Sequence, residues 1–243
     1  NNLRGGEMIG STISHYKILE KLGEGGMGIV YKAHDTMLNR PVALKFLHTI
    51  FTKDEISRER FITEAQAASA LEHHNICNIH EIGESDDGYQ FICMAYYEGN
   101  NLADEILKGP LKIEDALGII YQVTQGLETA HEKKIVHCDV KPSNIVISND
   151  GQVKILDFGL AKLMGNDISQ TISTKGTIAY MSPELIRGGN VDHRSDIWSL
   201  GVILFEMLTG HIPFEGQYAE PLMYAIVNKA PKKLSSYLTG HAD

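Results

Sequence analysis

Four side chains close together in the chain could do chemistry as a set: the carboxylate of Asp139, the ammonium of Lys141, the amide of Asn144 and the carboxylate of Asp157. A carboxylate within reach of a hydroxyl can take up its proton. A lysine beside it suits a negatively charged group, and an Asn oxygen with a second carboxylate suits a hard cation such as Mg²⁺. Asx-rich loops are often mere turns. Here two of them bracket a hairpin, whose strands Ile145–Ile147 and Val153–Ile155 are joined by Ser148-Asn149-Asp150-Gly151.

Two further elements precede this set. Gly23, Gly25 and Gly28 lie between alternating apolar stretches, and Ile29 to Ala33 resumes as a strand. A dinucleotide-binding GxGxxG opens a helix instead. A glycine hairpin lets backbone amides lie close over phosphates, because no side chain stands in the way. Taken alone it is as well explained as a flexible hairpin. Lys45 shares one face of the next strand with Ala43, while Val42, Leu44 and Phe46 take the other.

The elements that must position these residues fall into two regions. Residues 1–14 are polar and Gly-rich and are expected to form a loose leader. Residues 15–97 form a small β-rich lobe: a strand with Tyr16, Ile18, Glu20 and Leu22 at alternate positions, the strands through Val30 and Val42–Leu47, one helix from about 54 to 71, and strands near 79–82 and 89–96. On that helix Arg60, Glu64, Ala68 and Leu71 share a face. Residues 98–243 read as mainly helical, with Ala116, Ile119, Val123, Leu127 and Ala130 at helical spacing and an apolar helix from Asp192 to Leu208. The fold class is therefore α+β and bilobal.

Composition narrows the function. A net charge of −9 argues against nucleic-acid binding, which needs a basic surplus. The longest apolar run is far too short to span a membrane. Three cysteines, Cys77, Cys93 and Cys138, are odd in number and lack metal-ligand spacing, so reduced thiols in a cytoplasmic setting are expected.

Residues 16 to 215 resemble eukaryotic-like serine/threonine protein kinases of the bacterial type. The resemblance rests on GEGGMGIV, VALK, Glu64, HCDVKPSN, DFG, Ser182-Pro183-Glu184 and the DIWSLG run from Asp196, in that order. It implies Mg-assisted transfer of the γ-phosphoryl group of ATP to a protein Ser or Thr hydroxyl. Asp139 is then the base, Lys141 steadies the transferring group, and Asn144 and Asp157 hold Mg²⁺. Lys45, paired with Glu64, touches the α/β-phosphates under the Gly23, Gly25 and Gly28 hairpin. Met94 stands behind adenine, Val30, Ala43 and Val146 enclose its ring, and backbone groups of Ala95 and Tyr97 bind its edge. Thr177 contacts Asp139 and helps admit the acceptor. His137, Phe158 and Ala68 stack as an internal spine, and Asp196 anchors the His137 loop. The localisation implied is cytoplasmic, with this stretch the kinase portion of a larger protein.

Two departures qualify the resemblance. Cys138 stands where relatives carry an arginine that grips a phosphorylated loop, and a neutral thiol cannot make that bidentate pair. With Ser173 at the position of the activating phosphate and Thr171 and Thr174 flanking it, little dependence on loop phosphorylation is expected. Second, the C-terminal helices of relatives are missing here, including the arginine that pairs with the residue at Glu184. Glu184 therefore needs another partner, a dimer contact or a C-terminal supporting element. The alternative to an active kinase is a pseudokinase-like nucleotide-binding scaffold, which would have no use for Lys45, Glu64, Asp139, Asn144 and Asp157. A small-molecule phosphotransferase would not call for Lys141 or the platform from Gly176 to Glu184.

Overall fold

The structure, a computed structural model, describes residues 8–25, 28–47, 62, 65–66, 68–85, 88–158 and 175–237. They form two compact units: Asn1–Glu72 with Cys77–Tyr97, and His73–Ile76 with Glu98–Asp243.

The first unit is an antiparallel sheet of β1 (Thr12–Ile13), β2 (Tyr16–Gly25), β3 (Gly28–Asp35), β4 (Arg40–Leu47), β5 (Ile79–Glu84) and β6 (Gln90–Ala95), in the order β1-β2-β3-β4-β6-β5. Strand residues opposite one another point to the same side. Tyr31 faces Leu44, which faces Cys93, and Ala33 faces Val42. These side chains, with Tyr16, Ile18, Phe46 and Phe91, form the core of the unit. Each large apolar side chain buried this way contributes about 1.5–3 kcal/mol.

Two expectations fail here for identifiable reasons. Composition assigns residues 8–14 to a loose leader, yet Met8 is in the core and β1 pairs with β2, Ile13 opposite Tyr16. Strict alternation along β2 is interrupted by register shifts between Ile18 and Glu20 and between Lys21 and Gly23, which leave Leu22 exposed. Residues 62, 65–66 and 68–69 are helical, with Ala68 and Leu71 buried; Arg60 and Glu64 lie outside the described residues.

The second unit holds the three-stranded sheet β7 (Gly99–Asn101), β8 (Ile145–Ser148) and β9 (Val153–Ile155), and helices α1 (Leu102–Leu107), α2 (Ile113–Glu132), α3 (Lys175–Ile178), α4 (Pro183–Ile186), α5 (Arg194–Thr209) and α6 (Ala219–Asn228). The stripe expected on α2 is buried at Ala116, Ile119, Val123, Leu127 and Ala130. The α2 helix ends with Lys134 in the left-handed region at φ 60°, its amide donating to His131 O and that of Ile135 to Ala130 O. The α5 helix ends at Gly210, φ 70°. Ile178, Phe214, Leu222, Ala225 and Ile226 form a second core under α3 and α6. Among the described residues, no helix is long and apolar enough to cross a membrane.

Residues 73–76 belong to this second unit through long-range pairing. The amide of Ile155 donates to Asn75 O at 2.8 Å, and Asn75 Nδ2 donates to Val153 O at 2.9 Å. Gly126 of α2 makes room for them. A Cβ there would lie 2.8 Å from Ile155 Cδ1 and 3.4 Å from Asn75.

Candidate active site

In the first unit, register decides which side chains share the face opposite the core. Val30 opposes Lys45, which opposes Ile92; Lys32 opposes Ala43, which opposes Met94. Val30, Ala43, Lys45 and Met94 therefore line one face, and Gly23 joins them opposite Val30. Gly25 opposes Gly28 where the hairpin turns. Lys45 is only 5% exposed. Of the backbone groups expected to bind a base, the Ala95 amide donates to Asn78 O at 2.9 Å, and the Cys77 thiol sits 3.8 Å from the Ala95 carbonyl. The Tyr97 hydroxyl accepts from the Asn78 amide at 3.5 Å, and burial pushes its pKa up to about 12.

In the second unit, the catalytic-type residues converge between α2 and the β8–β9 hairpin. A 3₁₀ turn, Pro142–Asn144, leads into β8, and the pairing of Ile145 with Ile155 brings Asn144 opposite Leu156, whose amide donates to Asn144 O at 2.8 Å. Asn144 and Asp157 thus lie at the same end of the hairpin. Asn144 Nδ2 donates to Asp139 O at 2.9 Å and to its Oδ2 at 3.1 Å. Lys141 Nζ donates to Asp139 Oδ2 at 2.8 Å and to Thr177 Oγ1 at 3.3 Å. Thr177 and Asp139 thus share one ammonium. Val146 is half-buried in β8, opposite Asn101 and Lys154.

Two residues on either side of the hairpin hold left-handed backbone, Cys138 at φ 62° and Asp157 at φ 55°. Such conformations cost free energy in residues with a Cβ and persist only where surroundings enforce them. At Cys138 the enforcing group is Asp196 of α5, fully buried. Its carboxylate accepts the amide of His137 at 3.0 Å, the amide of Cys138 at 2.9 Å and Nε2 of His131 at 2.7 Å. His137 is fixed in turn: its Nδ1 accepts from the Asp139 amide at 3.2 Å, so Nε2 carries the proton and donates to Leu156 O at 2.9 Å. Its ring lies 4.8 Å from that of Phe158.

Thr171, Ser173 and Thr174 lie outside the described residues, as does Glu64. Beyond them, α3 carries Thr177, and Ser182 caps α4 by accepting from the Leu185 amide. Glu184, expected to need a partner other than the arginine of relatives, accepts a hydrogen bond from Ser195 Oγ at 2.5 Å. Burial pushes its carboxyl up, but the hydroxyl of Ser195, its own amide and the hydroxyl of Ser182 together hold it below the usual carboxylate range. The sequence carries no signal for His131 and Ser195, and Ser199 enters only as part of the DIWSLG run. Serines four apart on a helix and a lone histidine near a helix end carry no distinctive spacing.

The protein kinase domain family model matches residues 16–239. The serine/threonine-protein kinase PrkC of Bacillus subtilis (strain 168) is 46% identical over 215 residues, covering 87% of this chain and 33% of that protein. The serine/threonine-protein kinase PknB of Mycobacterium tuberculosis (strain ATCC 25177 / H37Ra) is 40% identical over 232 residues, covering 91% and 37%. The chain thus spans about a third of the length of these curated relatives. Among solved structures, the Mycobacterium tuberculosis PknI kinase domain superimposes with a TM-score of 0.74 at 28% identity, covering 95% of this chain and 84% of the other.

Proposed function

This chain belongs to the protein kinase domain family, and on that premise we propose that it is a serine/threonine kinase catalytic domain moving the γ-phosphoryl group of ATP to a protein hydroxyl. The observation that carries the reading is the Lys141 ammonium, which donates to both Asp139 and Thr177. In the proposed step the acceptor oxygen bonds to the γ-phosphorus, the bond to the β-phosphate oxygen breaks, and the acceptor proton passes to Asp139. Lys141 offsets the charge gathering on the transferring group.

The residues present fit a nucleotide. Among the described residues a Cβ at Gly23 would meet nothing within 4 Å, and glycine there leaves room for the close approach of a phosphate. Lys45 on the same sheet face supplies a buried cation for that phosphate. Mg²⁺ fits the second unit. Asn144 spends its Nδ2 on Asp139, which leaves its amide oxygen as a ligand candidate at the end of the hairpin that also carries Asp157. Among the described residues no cluster of three or more His, Cys, Asp or Glu forms a metal cage. Two oxygen ligands completed by phosphates and water are how Mg²⁺ is commonly held at phosphoryl-transfer sites.

Cys77, Cys93 and Cys138 form no disulfide, which supports a reducing, cytoplasm-like setting. The neutral Cys138 supports weak dependence on loop phosphorylation, since it offers phosphate no bidentate partner. Transfer from labelled ATP to a histone mixture tests the function, with Asp139→Asn as control. We expect transfer by the wild type, falling on the order of 10²–10⁴-fold in the variant. An inactive wild type, or an equally active variant, would overturn the reading.

A further inference from the structure

The α5 helix turns one polar row toward the segment that follows Thr177. Ser195, Ser199 and Glu206 stand four and seven residues apart, which places them on one side of the helix. Ser195 Oγ donates to Glu184, Ser199 Oγ donates to the Tyr180 carbonyl at 2.8 Å, and Glu206 Oε2 accepts from the Tyr180 hydroxyl at 2.6 Å. Ser182 Oγ donates to Ser195 Oγ at 3.0 Å while accepting from the Leu185 amide. Proton direction is consistent along the whole chain: Leu185 amide to Ser182, Ser182 to Ser195, Ser195 to Glu184.

These hydroxyls are buried, Ser182 at 1%, Ser195 at 2% and Ser199 at 5% exposure, and the last two stand in a helix whose other buried residues include Leu200, Val202, Ile203 and Met207. Alanine at 195 and 199 would favour the helix more and bury no polar group. What the serines add is a fixed position for the backbone from Tyr180 to Glu184. That backbone continues directly from Thr177, whose hydroxyl is bound by the same lysine that binds Asp139. The segment held by these serines is therefore joined, through Thr177 and Lys141, to the group that would take the acceptor proton.

Resting on the kinase reading above, we propose that Ser195 and Ser199 are positioning residues: they set where the acceptor protein docks and leave nucleotide affinity untouched. The test is steady-state kinetics of Ser195→Ala and Ser199→Ala with the histone mixture and with ATP as varied substrates, alongside thermal unfolding. Loss of one buried hydrogen bond from the platform should raise the KM for histone about fivefold or more, with the KM for ATP within about twofold of wild type. Ser199→Ala leaves the Ser182–Ser195–Glu184 chain intact and carries the test if Ser195→Ala folds poorly. An unchanged KM for histone in an active enzyme overturns the positioning role alone. So do both KM values rising together with a lowered melting temperature, since that marks a general structural role. An inactive wild type overturns the kinase reading and the positioning role with it.

Discussion

Asp196 accepts the main-chain amide of Cys138 at 2.9 Å and so holds the residue before Asp139 in its left-handed conformation. Asp196→Asn keeps the shape but offers one oxygen where the buried site uses two, and turns an N–H₂ group toward an N–H. Losing charge-assisted hydrogen bonds of this kind costs roughly 2–4 kcal/mol. We expect kcat to fall on the order of 10²-fold and the melting temperature to drop, by steady-state kinetics and circular dichroism.

Lys134 closes α2 in a left-handed conformation that glycine adopts without steric cost. Lys134→Gly should stabilise the second unit by about 0.5–1 kcal/mol, since the αL penalty of a side chain exceeds the added chain entropy of glycine. Denaturant unfolding followed by tryptophan fluorescence of Trp198, the single tryptophan, reads that unit directly.

Burial pushes the Cys93 thiol up to about 11 and Cys77 is buried as well, whereas Cys138 is partly exposed. Iodoacetamide at about pH 8 should therefore modify Cys138 first in the native protein. Peptide mass spectrometry would show this, and early labelling of Cys93 would contradict the burial argument.

Ser173→Ala, and phosphatase treatment of the wild type, should leave initial rates within about twofold, because Cys138 cannot grip a phosphate. A collapse on dephosphorylation would show that another cation takes the arginine's place.

The Glu184 carboxyl is held low by hydroxyl donors that outweigh burial, so its contribution to stability is present above the unfolded value near 4.5 and disappears as pH falls through the lower folded value. Ser195→Ala removes the leading hydroxyl donor. The gap in melting temperature between wild type and variant should be full at about pH 7 and shrink at about pH 3.5. A gap that widens in acid would show that the hydroxyl does not act through Glu184.

Much of this arrangement is legible in the sequence, for physical reasons that also mark where legibility ends. Alternation on β4 and the stripe on α2 are local periodicities, and they are buried as their spacing predicts. The set Asp139, Lys141, Asn144 is legible because a single short loop carries it. Leu22 misleads because two bulges shift the β2 register, and nothing in the residues near it announces an extra residue in a strand. Met8 enters the core although the stretch around it is Gly-rich and largely polar. The placement of Asn75 with β9, and of Ser195 under Glu184, depends on partners far along the chain, and serine or asparagine spacing encodes neither.

The β4 strand has a consequence for how damage shows itself. Its odd and even positions serve two different tasks, core on one side and Lys45 with Ala43 on the other, and a slip of one residue would exchange them. There is no half-correct sheet that keeps its core yet misplaces the lysine. A lesion at Leu44 should therefore appear in cells as vanished protein, cleared by proteolysis, while a lesion at Lys45 should leave normal amounts of an inert one.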